Sequence, residues 1–202
     1  NKSFIRKQFN GQFKRIWRGL ERIHKNLSSE ALKTSILEHK QLKNPTESNE
    51  EDLVKDLDEN FSFLRKKMPL LPNCQLVESE SLGRKHLIKK HFSKIIDRMQ
   101  KIESLYVENK RTLSKNTQVS LRDRLAELVS FSKNFLKEDV ERSLERSLKS
   151  HNMAIDDLTN KDSLHSELSP MQMLDDQLHQ IWVCLEDINT IHGSELLQEL
   201  IS

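Results

Sequence analysis

The side chains with catalytic or metal-binding potential in this chain are few and badly spaced for chemistry. Eight histidines are scattered along 202 residues. His86 and His91 are five positions apart, so one helix face cannot carry both as a metal pair. His24 and His179 stand beside apolar stripes, where a hydrogen-bonded, partly buried imidazole is the ordinary role. Two adjacent carboxylate pairs, Asp156-Asp157 and Asp175-Asp176, point to different sides of a helix and make no acid/base couple. Gly11, Gly19, Gly83 and Gly193 never cluster into a phosphate loop, and HExxH, CxxC and calcium-loop patterns are missing. Cys74 and Cys184 flank no partner motif and are expected to be two reduced thiols. These residues predict a protein that is not an enzyme and takes no cofactor or metal.

The remaining chemistry is charge. Residues 1–43 carry eleven Lys/Arg against three Glu, and Arg84 to Lys115 carries ten basic residues against three acidic. Glu47 to Glu59 holds seven acids and one Lys, and 151–202 holds ten acids and one Lys. Four roles fit such blocks. Oppositely charged helices can pair along their edges, which would place the two basic helices apart. Arg15, Arg18 and Arg22 can dock an acidic protein segment. Lys14 and Arg15, with Lys85, Lys89, Lys90 and Lys94, can follow a phosphate backbone. The first helix can also lie on an anionic membrane, although its apolar stripe suits a bundle and the acidic C-terminal part would be repelled.

The elements that position these charges are helical. Leu, Lys, Glu and Ser dominate, with only 4 Gly and 4 Pro to interrupt them. In the first segment Phe9, Phe13, Ile16, Leu20, Ile23 and Leu27 step by 4, 3, 4, 3, 4, the spacing of a heptad seam, with Ile5 one turn earlier and Trp17 beside it. Gly11 and Gly19 lie inside this helix, each costing about 1 kcal/mol relative to Ala unless a neighbour approaches closely. A second helix follows Ser28-Ser29 and runs to about Lys43. A third starts at a capping box of Ser48 and Glu51, carries Leu53, Leu57, Phe61, Leu64 and Met68, and stops before Pro69.

The stretch "PLLPNCQLVESESLG" is the longest irregular connection and is apolar enough to pack across a bundle. A fourth helix from about Arg84 has the seam Ile88, Phe92, Ile95, Met99, Ile102, Tyr106. A fifth, opened by Ser120, carries Leu121, Leu125, Leu128, Phe131 and Phe135, and drifts before Val140, Leu144 and Leu148, where a kink or change of partner is expected. "SPMQ" starts a sixth helix with Trp182 beside its stripe, Gly193 ends it, and "SELLQELIS" begins a seventh.

The predicted fold is therefore all-α: an elongated helical bundle of six to seven helices with coiled-coil-like heptad seams, 1–202 forming a single domain or dividing near 69–82. No run of about 18 apolar residues spans a membrane. The chain begins inside a helical pattern and is expected to be part of a longer polypeptide, with an intracellular setting, nuclear or cytoplasmic.

The function expected from this is a non-catalytic scaffold or adaptor, holding helical or acidic protein partners in a larger eukaryotic assembly, with homodimerisation through regular seams. Its anchors would be Trp17 and Trp182, with Arg15, Arg18 and Arg22 choosing the partner, and Leu196, Leu197 and Leu200 needing a surface to cover them. The alternative is a chromatin- or nucleic-acid-associated domain using the two basic helices.

Overall fold

In the computed structural model the residues the structure describes, which are 2–41, 50–78, 81–160, 178–179 and 182–183, are almost entirely helical; no strand occurs among them. The elements are α1 (Lys2–His24), α2 (Glu30–Lys40), α3 (Glu50–Lys67), a 3-10 segment (Met68–Asn73), α4 (Gln75–Glu78), α5 (Leu82–Asn109) and α6 (Lys115–Asn160). Contacts group the chain into two compact units, Asn1–Glu138 and Asp139–Ser202.

In the first unit the apolar periodicity becomes a core. Phe9, Phe13, Ile16, Leu20, Ile23 and Leu27 are all buried, as are Ile88, Phe92, Ile95, Met99, Ile102 and Tyr106. Leu53, Leu57, Phe61, Leu64 and Met68 bury the inner face of α3, and Leu121, Leu125, Leu128, Phe131 and Phe135 that of α6. Burying each such side chain contributes about 1.5–3 kcal/mol. The stretch after Pro69 is more ordered than its sequence suggests. It folds into the 3-10 segment and α4, and buries Leu71, Cys74, Leu76 and Val77. The Cys74 Sγ donates to the Leu70 carbonyl at 3.7 Å.

Local signals fix the ends. Ser29 caps α2 by accepting from Leu32 N at 3.1 Å. The Glu138 carboxylate of α6 meets the same helix start, accepting from Ser29 Oγ at 2.6 Å and from the Glu30 and Ala31 amides at 3.1 Å. A carboxylate there satisfies amides that have no partner inside the helix and complements the positive end of its dipole. Helix α6 starts at Lys115 rather than Ser120. Ser114 provides the cap, its carbonyl accepting from the Thr117 and Gln118 amides and its hydroxyl lying 2.9 Å from Thr117 Oγ1. Helix α2 ends at Lys40, three residues before the expected Lys43. The capping box at Ser48 lies outside the described residues.

The charged flanks of the helices pair in some places. Glu103 of α5 accepts from Arg65 Nε of α3 at 3.1 Å, and Lys110 Nζ binds Asp58 Oδ2 at 2.9 Å. The Tyr106 hydroxyl also donates to Asp58, at 3.3 Å, and its ring stacks on Phe61. Lys40 of α2 pairs with Glu21 of α1 at 3.1 Å.

In one place the charge-pairing expectation fails. The two basic helices, α1 and α5, do not sit apart; they pack on each other. At Gly19 an added Cβ would lie 3.0 Å from Ile95 Cγ1, and Arg98 Nη1 reaches Gln12 Oε1 at 3.5 Å. Since 19 meets 95 and 12 meets 98, the two helices run antiparallel. The physical reason is magnitude. Two exposed like charges about 10 Å apart in water repel by only ~0.4 kcal/mol before salt screening. Each seam residue contributes several times that.

In the second unit α6 continues to Asn160, with the Ser143 hydroxyl donating to the Asp139 carbonyl at 2.7 Å. Leu148, assigned to the seam from sequence, is exposed. The unit boundary falls between Phe135 and Val140, where the spacing of that seam drifts.

Candidate functional site

The antiparallel register of α1 and α5 lines up a second stripe on each helix, beside the buried seam. On α1 it is Arg15, Arg18 and Arg22, stepping 3, 4, with Lys25 in the turn just after the helix; on α5 it is Leu87, His91, Lys94, Arg98 and Lys101, stepping 4, 3, 4, 3. Arg15, Arg18, Arg22, Lys25, Lys94 and Lys101 are exposed, as is Lys90 next to the α5 stripe, while His91 and Arg98 are half-buried. None of Arg15, Arg18, Arg22, Lys90, Lys94 and Lys101 has an ion-pair partner among the described residues.

The field this makes is visible at His91. Burial first, then the charges of Arg22, Lys94 and Lys90, holds its imidazole below the ordinary histidine range. An α1 arginine and two α5 lysines thus act on one α5 side chain, in line with the antiparallel register set by the Gly19–Ile95 and Gln12–Arg98 contacts, which brings the two stripes alongside each other. Leu87, 40 % exposed and one turn before His91, adds an apolar side chain to it.

No family model, curated protein or solved structure matches this chain. The surface therefore has to be read from its own chemistry.

The residues singled out in the sequence divide as follows. Arg15, Arg18, Arg22, Lys90 and Lys94 share the surface, and Lys14 lies exposed on the outer side of α1. Lys85 and Lys89 do not join it. Eighteen residues, five helical turns, separate Lys85 from Glu103, so Lys85 lies on the side of α5 that faces α3, and Lys89 is one turn further along that side. Trp17 is no exposed anchor. It is buried, its ring stacked on His39 at 4.0 Å between centroids, with His39 Nδ1 2.9 Å from Glu127 Oε2. Its place beside the seam turned it inward, toward α2. Trp182 is exposed, with Leu178 and Val183 exposed near it. Leu196, Leu197 and Leu200 lie outside the described residues, as do Cys184 and Asp175-Asp176.

His91, Lys101 and Leu87 were missed by sequence reasoning. The signal that would have found them is the stripe one position beside the buried seam, read at the same period.

Among the described residues no group of three or more His, Cys, Asp and Glu is placed to hold a metal. No helix among them is long and apolar enough to cross a membrane.

Proposed function

We propose that this chain is a non-catalytic helical module of a larger assembly, and that its α1/α5 face docks an acidic protein segment. One observation carries the reading: two like-charged helices are packed side by side, and the cations between them have no acidic partner among the described residues. On the other flank of α5 opposite charges meet instead, Glu103 with Arg65 of α3 and Lys110, just after the helix, with Asp58 of α3. Leu87 favours a protein partner, because an acidic helix brings apolar side chains that need a seat. The coiled-coil character of the seams, self-association through them and an intracellular setting belong to the same proposal.

A second reading is a phosphate backbone. It is favoured by the preponderance of cations over apolar side chains on this face, with Leu87 set against Arg15, Arg18, Arg22, Lys90, Lys94 and Lys101. Fluorescence anisotropy with a labelled poly-glutamate peptide, generic DNA and generic RNA tests both. The docking reading expects the peptide to bind at low salt, and reversal of Arg15, Arg18 and Arg22 to Glu to abolish binding with helicity intact by circular dichroism. Tighter binding of nucleic acid, falling by orders of magnitude between about 50 and about 200 mM salt, would transfer the function to the second reading. Binding of neither probe at low salt sinks both.

A further inference from the structure

Within the cationic face, one spot combines fixed charge with a titratable donor. One turn along the antiparallel pair from the Gly19–Ile95 contact, Arg22 of α1 comes opposite His91, and Lys90 and Lys94 lie beside His91 on its own helix. Among the described residues the charged groups acting on His91 are these three, all of one sign. The 3-10 segment and α4 also pack on α5, and neither Met68–Asn73 nor the described α4 side chains Gln75, Leu76 and Val77 carry a charge; α3 meets α5 on its other flank, where Arg65 pairs with Glu103. His91 is half-buried, and none of the described acids acts on it. It is the group on this face whose charge can change near neutral pH, and its neighbours oppose that change until an anion arrives.

We propose that Arg22, Lys90, His91 and Lys94 form a carboxylate site for a Glu or Asp side chain of the docked acidic segment, and that the site fills with uptake of one proton at His91. The inference rests on the docking reading above. A carboxylate placed among these side chains offsets the repulsion from Arg22, Lys90 and Lys94 and accepts a hydrogen bond from the imidazolium. Burial and the three cations keep His91 neutral in the free protein at pH 7. The bound carboxylate favours the protonated form instead. By linkage, affinity therefore rises as pH falls through the interval between the free and the bound titration points of His91. The other cations keep their charge across that interval, and glutamate side chains are ionised over most of it. The proton balance closes on His91, which gains one proton from solvent as the carboxylate enters and returns it on release.

The test is calorimetry and anisotropy of the whole chain with a labelled poly-glutamate peptide at pH roughly 6 to 8. Titrations in buffers of different ionisation heat count protons taken up. The wild type should bind several-fold more tightly at the acid end, within the limit of about tenfold per pH unit that one proton allows. It should take up a fraction of a proton, at most one. His91→Gln should still bind, with the pH dependence and the proton uptake both lost. Lys94→Gln, which leaves His91 in place, should weaken binding and keep the uptake. Peptide binding with no proton uptake, or an unchanged pH slope in His91→Gln, overturns the site and leaves the docking reading standing. A pH-linked response to an oligonucleotide but not to the peptide overturns the assignment to a carboxylate. No peptide binding at any pH removes the docking reading itself, and the site with it.

Discussion

Helix α5 has two flanks that treat charge in opposite ways. Toward α3, Glu103 meets Arg65, Lys110 meets Asp58, and Tyr106 adds its hydroxyl to the same carboxylate. Toward α1, Arg98 reaches the Gln12 amide oxygen, Arg22, Lys90 and Lys94 act on His91, and no carboxylate among the described residues does. Both flanks surround one continuous seam, Ile88 to Tyr106, which is buried throughout. The seam decides which helices pack, and edge charges only adjust the result. An unpaired cation on such a flank costs little, and so a basic face can be kept for a partner.

The largest effect expected of a single change falls on the seam. Ile95 is buried and meets Gly19 across the like-charged flank. Ile95→Ala should cost about 2–5 kcal/mol in urea unfolding, because deleting buried methylenes loses transfer energy and leaves a cavity. A loss well under 1 kcal/mol would mean that apolar packing is not what holds two basic helices together.

Next comes a change expected to leave stability alone. The double substitution Arg22→Glu, Lys94→Glu should lower affinity for an acidic peptide at least about tenfold, or ~1.4 kcal/mol, at low salt. Its midpoint in urea should hold or rise, since both side chains are exposed and each reversal relieves repulsion. A parallel fall in stability would mean that the cationic flank is structural after all.

This division explains what the sequence disclosed. The seams were legible because burial is periodic: Phe9 to Leu27 and Ile88 to Tyr106 carry their own spacing and need no partner to be recognised. Adjacency was not. Block charges suggested that α1 and α5 avoid each other, yet charge is a weak selector beside a dozen buried side chains. Trp17 misled for a related reason. A position beside a seam faces either solvent or the next helix, and only the tertiary arrangement tells which; here α2 brings His39 onto the ring. The cationic surface was half legible: its residues were counted, but their meeting across two helices distant in sequence was not readable from either one. The start of α6 was misplaced because Ser114 and Ser120 are both acceptable caps, and the chain uses the earlier.

The paired flank supplies the third contrast. Asp58 accepts from both Tyr106 and Lys110, and Lys110 Nζ also lies 5.4 Å from the Tyr106 ring centroid. Burial, then the Asp58 charge, pushes the Tyr106 hydroxyl above its ordinary range. Asp58→Ala should destabilise by about 0.5–1.5 kcal/mol, at the low end because the carboxylate is half in water and screened. Without that charge the Tyr106 titration, followed by absorbance, should move down. Peptide binding on the opposite flank should be unaffected. A change in binding would show that the two sides of α5 are coupled.

The smallest expected effect separates two glycines on one helix. Gly11 and Gly19 both lie inside α1, and from sequence they are equivalent, each weakening the helix relative to Ala. The structure makes them different. A Cβ at Gly11 would meet none of the described residues within 4 Å, so Gly11→Ala should gain up to about 1 kcal/mol from helix propensity and lost unfolded-state freedom. A Cβ at Gly19 would lie 3.0 Å from Ile95 Cγ1 and 3.1 Å from Cδ1, tighter than an ordinary contact. Ile95 is buried and cannot swing into solvent to make room, so the propensity gain at Gly19→Ala is offset by displacing α5. Urea midpoints of the two variants should therefore diverge, Gly11→Ala above the wild type and Gly19→Ala at or below it. Equal gains would mean that α1 and α5 approach less closely at Gly19 than at the seam on either side, and the shared cationic face would lose the contact that aligns its two halves.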